Sequence, residues 1–145
     1  MRLFYDPNIN PKDTNHTLSE EESKHVVRVL RMKMGDQIGI LDGKGSLYSC
    51  TIALDNPKRC DLKVIDIKTD ERPKSEIHVA VGPTKQMERI EWFIEKATEI
   101  GITEITLVEC KNSERIKIKT DRLEKKAVSA MKQSHRTFLP KINEL

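Results

Sequence analysis

Basic side chains at helical spacing are the residues of this chain best suited to chemistry, and the chemistry they suit is neutralising phosphate. Lys24, Arg28 and Arg31 recur at intervals of four and three, so a helix through them sets three cations on one face with His25 alongside. Each cation that pairs with a phosphate releases a condensed counterion, and a row of them reads a nucleic-acid backbone. A solvated helix face next to an acidic first turn has the same spacing. Lys85, Arg89 and Lys96 repeat the pattern further along, interleaved with Glu88, Glu91, Glu95 and Glu99. Ion pairing within the helix explains that second pattern as well as RNA contact does. Trp92 stands among these charges and suits core packing and base stacking alike.

Other candidates carry less. Gln133-Ser134-His135-Arg136 sets a serine beside a histidine, but adjacent helical residues diverge by about 100°, so His135 is badly placed to activate Ser134. Gly43-Lys44-Gly45 lacks the rest of a phosphate-binding glycine motif and reads as a hairpin turn. The four histidines show no metal-ligand spacing. Cys50, Cys60 and Cys110 are odd in number and form no CxxC pair, which supports neither a disulfide framework nor a zinc site.

Charge is distributed unevenly. Residues 1–73 hold 12 bases and 12 acids, residues 74–110 hold 4 and 7, and residues 111–145 hold 10 and 4. Basic charge gathered in the last stretch points to a polyanion or to Lys-rich solvated helix faces. With 37% apolar and 34% charged residues over 145 positions, the composition is that of a globular protein of one or two domains. No apolar run approaches the roughly 18 residues that span a bilayer, and no secretory signal opens the chain, so the expected location is cytoplasmic with no membrane contact.

The elements that must position these residues fall into two groups. Residues 1–72 read as a small, mainly antiparallel β-domain, most simply a compact barrel. It has an extended start at Arg2–Tyr5, a short helix announced by the Ser19/Glu22 capping box, and strands at Gln37–Leu41, Leu47–Leu54 and Cys60–Ile67. Lys68–Lys74, with Pro73, is the linker. From residue 73 the pattern changes to a strand–helix–strand crossover, with apolar runs at 77–81 and 105–108 flanking a helix from Gln86 to Ile100. Met87, Ile90, Phe93, Ile94, Ala97 and Ile100 form its apolar face, Thr84 is the expected N-cap and Gly101 the left-handed C-terminal residue. Parallel sheets are covered on both faces and usually have four or more strands, yet only 37 residues follow Val108. The expectation is therefore an incomplete α/β domain whose crossover leaves apolar surface uncovered.

Taken in order, Arg2-Leu3-Phe4, His25 with Arg28-Val29-Leu30-Arg31-Met32, Gly35-Asp36 and the Asp42-Gly43 turn make up the first half of a recognisable series. Met87, Glu91, Lys96-Ala97-Thr98-Glu99-Ile100-Gly101-Ile102, Ser113-Glu114-Arg115 and Gln133-Ser134 with Arg136 and Pro140 make up the second. Over its whole length the chain resembles the RsmE family of bacterial rRNA methyltransferases, which methylate uridine N3 of 16S rRNA. Lys132 is a departure, since relatives often carry Glu before the Gln. The resemblance implies an α+β protein: a PUA-like antiparallel β-barrel (1–72) followed by the first half of a SPOUT α/β methyltransferase domain (73–145). It also implies S-adenosylmethionine as cofactor, 16S rRNA or the small ribosomal subunit as partner, and a homodimer. No metal is implied.

The family's Gly-Pro-Glu-Gly-Gly loop and Leu-Arg-Thr-Glu segment, which form its cofactor site and C-terminal knot, would lie beyond Leu145. The chain is thus expected to be an N-terminal portion, inactive alone, with no cofactor site and no identifiable catalytic residue of its own. Arg2, Lys24, Arg28, Arg31, Arg89, Arg115 and Arg136 are the expected RNA-binding residues. A non-catalytic RNA-binding module and a purely structural fragment are the competing readings, separated by donor binding and by salt-dependent RNA affinity.

Overall fold

The computed structural model describes residues 1–112 and 117–144, and their contacts cluster into two units, Met1–Asp70 and Glu71–Leu145. Arg115 lies outside the described residues.

In the first unit, alternation of side chains builds the core. β4 (Ser46–Asn56) buries Ser46, Tyr48, Cys50 and Ile52 while Leu47, Ser49 and Thr51 are partly exposed, the two-residue period of a strand with one face inward. It pairs antiparallel with β3 (Gln37–Leu41) and β5 (Arg59–Thr69). β1 (Arg2–Tyr5) runs parallel to β3, and β2 (Asn15–Thr17), a strand not anticipated from the sequence, pairs with β5. The sheet order is β1-β3-β4-β5-β2, with β1 and β2 at its two ends and no closing pair between them among the described residues. The β3–β4 turn is held by Asp42, whose Oδ1 accepts from the backbone N–H groups of Lys44 (2.8 Å) and Ser46 (3.0 Å), while Gly43 and Gly45 supply positive φ. Burial and the Asp42 carboxylate both push the Tyr48 phenol above its ordinary pKa.

A short helix, α1 (Glu20–Lys24), is capped as expected: Ser19 Oγ accepts from Glu22 N–H at 3.2 Å. It is fastened to the sheet by buried Ser23, whose Oγ accepts from Cys60 N–H at 2.9 Å. Beyond Lys24 the helix widens into a π turn over His25–Val29, with Leu30 N–H bonded to His25 O. This turn keeps Val26 wholly buried while Val27, Leu30 and Met32 pack against the core.

The second unit is a parallel three-stranded sheet in the order β6 (His78–Val81), β7 (Glu104–Leu107), β8 (Lys141–Glu144). α2 (Met87–Ile100) and α3 (Thr120–Gln133) are its two crossovers. In-register residues of parallel strands share a face, and Val81, Ile105, Leu107 and Ile142 meet Ile90, Ile94, Ala97, Leu123 and Ala127 of the helices. Ile94 and Leu123 are fully buried, worth about 1.5–3 kcal/mol each relative to exposure. α3 thus covers the apolar side that the sequence leaves open. The other face is polar: His78 Nε2 lies 2.6 Å from Thr106 Oγ1, and Asn143 Nδ2 donates to Glu104 Oε1 (2.6 Å) and Thr106 Oγ1 (3.2 Å).

Two local expectations are corrected. The N-cap of α2 is Gln86; Thr84 Oγ1 instead donates to Gln86 O at 3.2 Å. Ile100 is 71% exposed, because about 100° per residue carries it roughly 80° from Ile90, to the rim of the buried arc. Gly101 is the left-handed C-cap, at φ 93°. No described helix is long and apolar enough to cross a membrane.

Candidate RNA interface

Four of the expected RNA-binding cations belong to the first unit. Arg2 opens β1, Lys24 ends α1, Arg28 lies in the π turn, and Arg31 follows the helix cap at φ 53°. All four are exposed and, among the described residues, none is held in an ion pair. Lys24, Arg28 and Arg31 do not form a row on one α-helical face, however. The i→i+5 turn shifts Arg28 relative to Lys24, and Arg31 has left the helix altogether. Beside them the His25 ring meets Phe4 edge-on, with centroids 6.3 Å apart.

Cations of the second unit have other duties. Arg122 Nε pairs with Glu91, and Lys126 Nζ lies 3.1 Å from Glu95 Oε2, so α3 is tied to α2 by two ion pairs. The Lys126 ammonium, as hydrogen-bond donor and as charge, holds the Glu95 carboxyl below the ordinary carboxylate range. Lys96 pairs with Glu99 at 3.2 Å and with Glu95 at 3.6 Å, and its pKa is raised, chiefly by Glu99. Arg122 and Lys126, two of the ten bases of residues 111–145, are therefore engaged inside the unit. Sequence spacing within one helix did not reveal these pairs between helices, because a partner on another element leaves no periodic signal.

Arg136 is placed by the fold at the carboxyl end of α2. Its Nε donates to Glu99 O at 2.6 Å, where the helix dipole favours a cation. Gly101 is favoured there by its φ of 93°, and a Cβ would stand 2.8 Å from Arg136 Nη1, so the guanidinium would have to shift. Ser134 is committed as well: its hydroxyl donates to Ala130 O at 2.7 Å, away from any role as a nucleophile.

Arg89 differs from its neighbours. It is exposed, has no ion pair among the described residues, and borders a cavity of about 440 Å³ lined also by Val81, Gly82, Glu88, Trp92 and Phe93. The cavity lies where β6 ends and α2 begins, the edge at which parallel α/β sheets take ligands.

Comparison with known proteins puts this geometry in context. Residues 70–145 match the RNA methyltransferase domain, and residues 18–65 match the RNA methyltransferase PUA domain. The chain belongs to this RNA methyltransferase family. It is 32% identical over 136 residues to the ribosomal RNA small subunit methyltransferase E of Buchnera aphidicola, covering 86% of this chain and 52% of that protein. The crystal structure of a probable rRNA-methyltransferase from Porphyromonas gingivalis superposes with a TM-score of 0.87 at 41% identity, over 99% of this chain and 60% of that one. The ribosomal RNA small subunit methyltransferase E of Neisseria gonorrhoeae, solved bound to S-adenosyl methionine, shares the fold at a TM-score of 0.75 and 21% identity, over 99% and 62%. The chain spans about half the length of the curated relatives it matches.

Proposed function

We propose that residues 1–145 supply RNA recognition and the first part of the catalytic domain of an S-adenosylmethionine-dependent enzyme that methylates uridine N3 in 16S rRNA, acting as a homodimer. The observation that carries this reading is the order of the two family matches, PUA at 18–65 and methyltransferase at 70–145, each falling on one of the two units. Relatives and structural neighbours described as rRNA methyltransferases support it, and the neighbour solved with S-adenosyl methionine supports that donor.

When bound, the donor supplies an electrophilic methyl group on sulfonium. The carboxyl end of β6 opens on Val81, Gly82, Glu88 and Arg89, not on a glycine-rich run of backbone amides. What this chain does is bind and orient RNA. Arg2, Lys24, Arg28 and Arg31 are free to meet phosphate and 2′-OH groups, because structured RNA is read largely by shape. Holding the base in place lowers the barrier entropically, and N3–H must lose its proton before it can accept the methyl group.

Filter binding of small-subunit rRNA across a salt series, with calorimetry against S-adenosylmethionine, tests the division of labour. RNA affinity should fall with a log–log slope of roughly −3 for four or five phosphate contacts, and the donor should show no saturable binding to residues 1–145. A salt-independent response would remove the RNA-binding role. Micromolar donor binding would place the cofactor site within this chain. A longer chain carrying the family's glycine-rich loop should methylate uridine N3, and its inactivity would favour a non-catalytic RNA-binding module.

A further inference from the structure

Trp92 is the chain's single tryptophan, and it is 63% exposed. Counting about 100° per residue from Ile90 around α2 shows how its surroundings are sorted. Glu91 and Glu95 fall at about +100° and +140°, on the flank where Arg122 and Lys126 of α3 meet them. Arg89, Lys96 and Trp92 fall at about −100°, −120° and −160°, on the flank turned away from those pairs. Arg89 is thus set apart from the acids that α3 engages, while Lys96 stays tied to Glu95 and Glu99. The basic flank carries the indole, the cavity and the unpaired Arg89.

We propose that this flank is a nucleotide site, in which an unpaired base of single-stranded RNA stacks on the Trp92 indole over the cavity while its phosphate meets Arg89. The inference rests on the RNA-binding reading above and adds a site to it. An exposed aromatic face offers a stacking platform for any base, and a guanidinium one helical turn away matches the adjoining phosphate. Val81 and Phe93 form an apolar floor, and the volume is within the range of small-ligand pockets. Glu88, on the other side of Trp92, repels phosphate and leaves Arg89 as its seat.

The lone tryptophan is its own probe. Single-stranded oligo(U) titrated into the 1–145 chain at low salt should quench Trp92 emission saturably, and an abasic sugar–phosphate chain of equal length should quench it far less. Trp92→Leu and Arg89→Gln should each weaken oligo(U) binding, followed by anisotropy of labelled RNA, by about tenfold, whereas Trp92→Phe should retain affinity within a few-fold. Circular dichroism of each variant reports folding. Binding by anisotropy without quenching, or equal quenching by the abasic chain, overturns the stacking site and leaves the RNA-binding reading intact. No binding of oligo(U) or of rRNA at all overturns both. Emission that shifts with protein concentration in the absence of RNA assigns the groove to a second copy and overturns the site.

Discussion

Lys24, Arg28 and Arg31 in the β-rich unit and Arg122, Lys126 and Arg136 in the α/β unit are the same residue types, but they stand in different circumstances. The first three extend from a short helix, a π turn and the residue beyond its cap, and among the described residues none of them is held in an ion pair. The second three are each engaged by α2: Glu91 and Glu95 take Arg122 and Lys126, and the Glu99 carbonyl takes Arg136. A cation with no partner keeps its charge available to a polyanion, whereas one paired within the unit chiefly fixes the angle between helices. Counting bases along the chain does not separate these cases.

The two units also differ in where their thiols lie, and this provides the largest expected effect. Burial pushes the Cys50 and Cys60 thiols up to about 11, whereas Cys110 is exposed. Only the thiolate reacts, so at pH 8.5 roughly one buried thiol in 300 is ionised, and access is blocked as well. Alkylation should modify Cys110 at least a hundredfold faster than Cys50 or Cys60, as followed by mass spectrometry. Comparable rates would mean that the β-rich core opens readily.

Charge reversal of Lys24, Arg28 and Arg31 together should flatten the salt dependence of RNA binding by about 2 in log–log slope, at about 0.7 per phosphate contact, with the fold unchanged. An unchanged slope would erase the contrast between free and engaged cations.

Gly101→Val should destabilise the α/β unit by about 1–2 kcal/mol from the left-handed backbone alone, and by more once the Arg136 guanidinium is displaced. Denaturant midpoints measure it. Arg136→Lys keeps the charge but loses the fork that reaches Glu99 O, and should cost about 1 kcal/mol. A neutral effect on stability together with a loss of RNA affinity would return Arg136 to the class of free cations. The smallest expected change is for Glu95→Gln. The carboxyl is held low by Lys126, so the ion pair's contribution is present above the ordinary Glu range and fades as pH falls through the lowered value. The variant should show a slight loss of thermal stability at neutral pH that vanishes in high salt.

Local pattern was enough to establish the alternating strands around Tyr48, the Ser19 cap, the Asp42-Gly43 turn, the crossover helix and its end at Gly101. Each of these depends on a few neighbouring residues and on backbone geometry with a fixed period. The ordered series of short motifs was likewise legible as family resemblance. What the sequence could not determine lay between elements. The pairing of β2 with β5, the cover α3 gives to the crossover, and the pairs Glu91–Arg122 and Glu95–Lys126 all join residues distant in sequence, which no periodicity links. The π turn that breaks the row of Lys24, Arg28 and Arg31 arises where Val26 is drawn into the β-sheet core, and Arg136 meets α2 only because α3 returns the chain to that helix's end. Whether a given arginine is free to bind RNA is a property of its neighbours in space, and tertiary packing alone decides those.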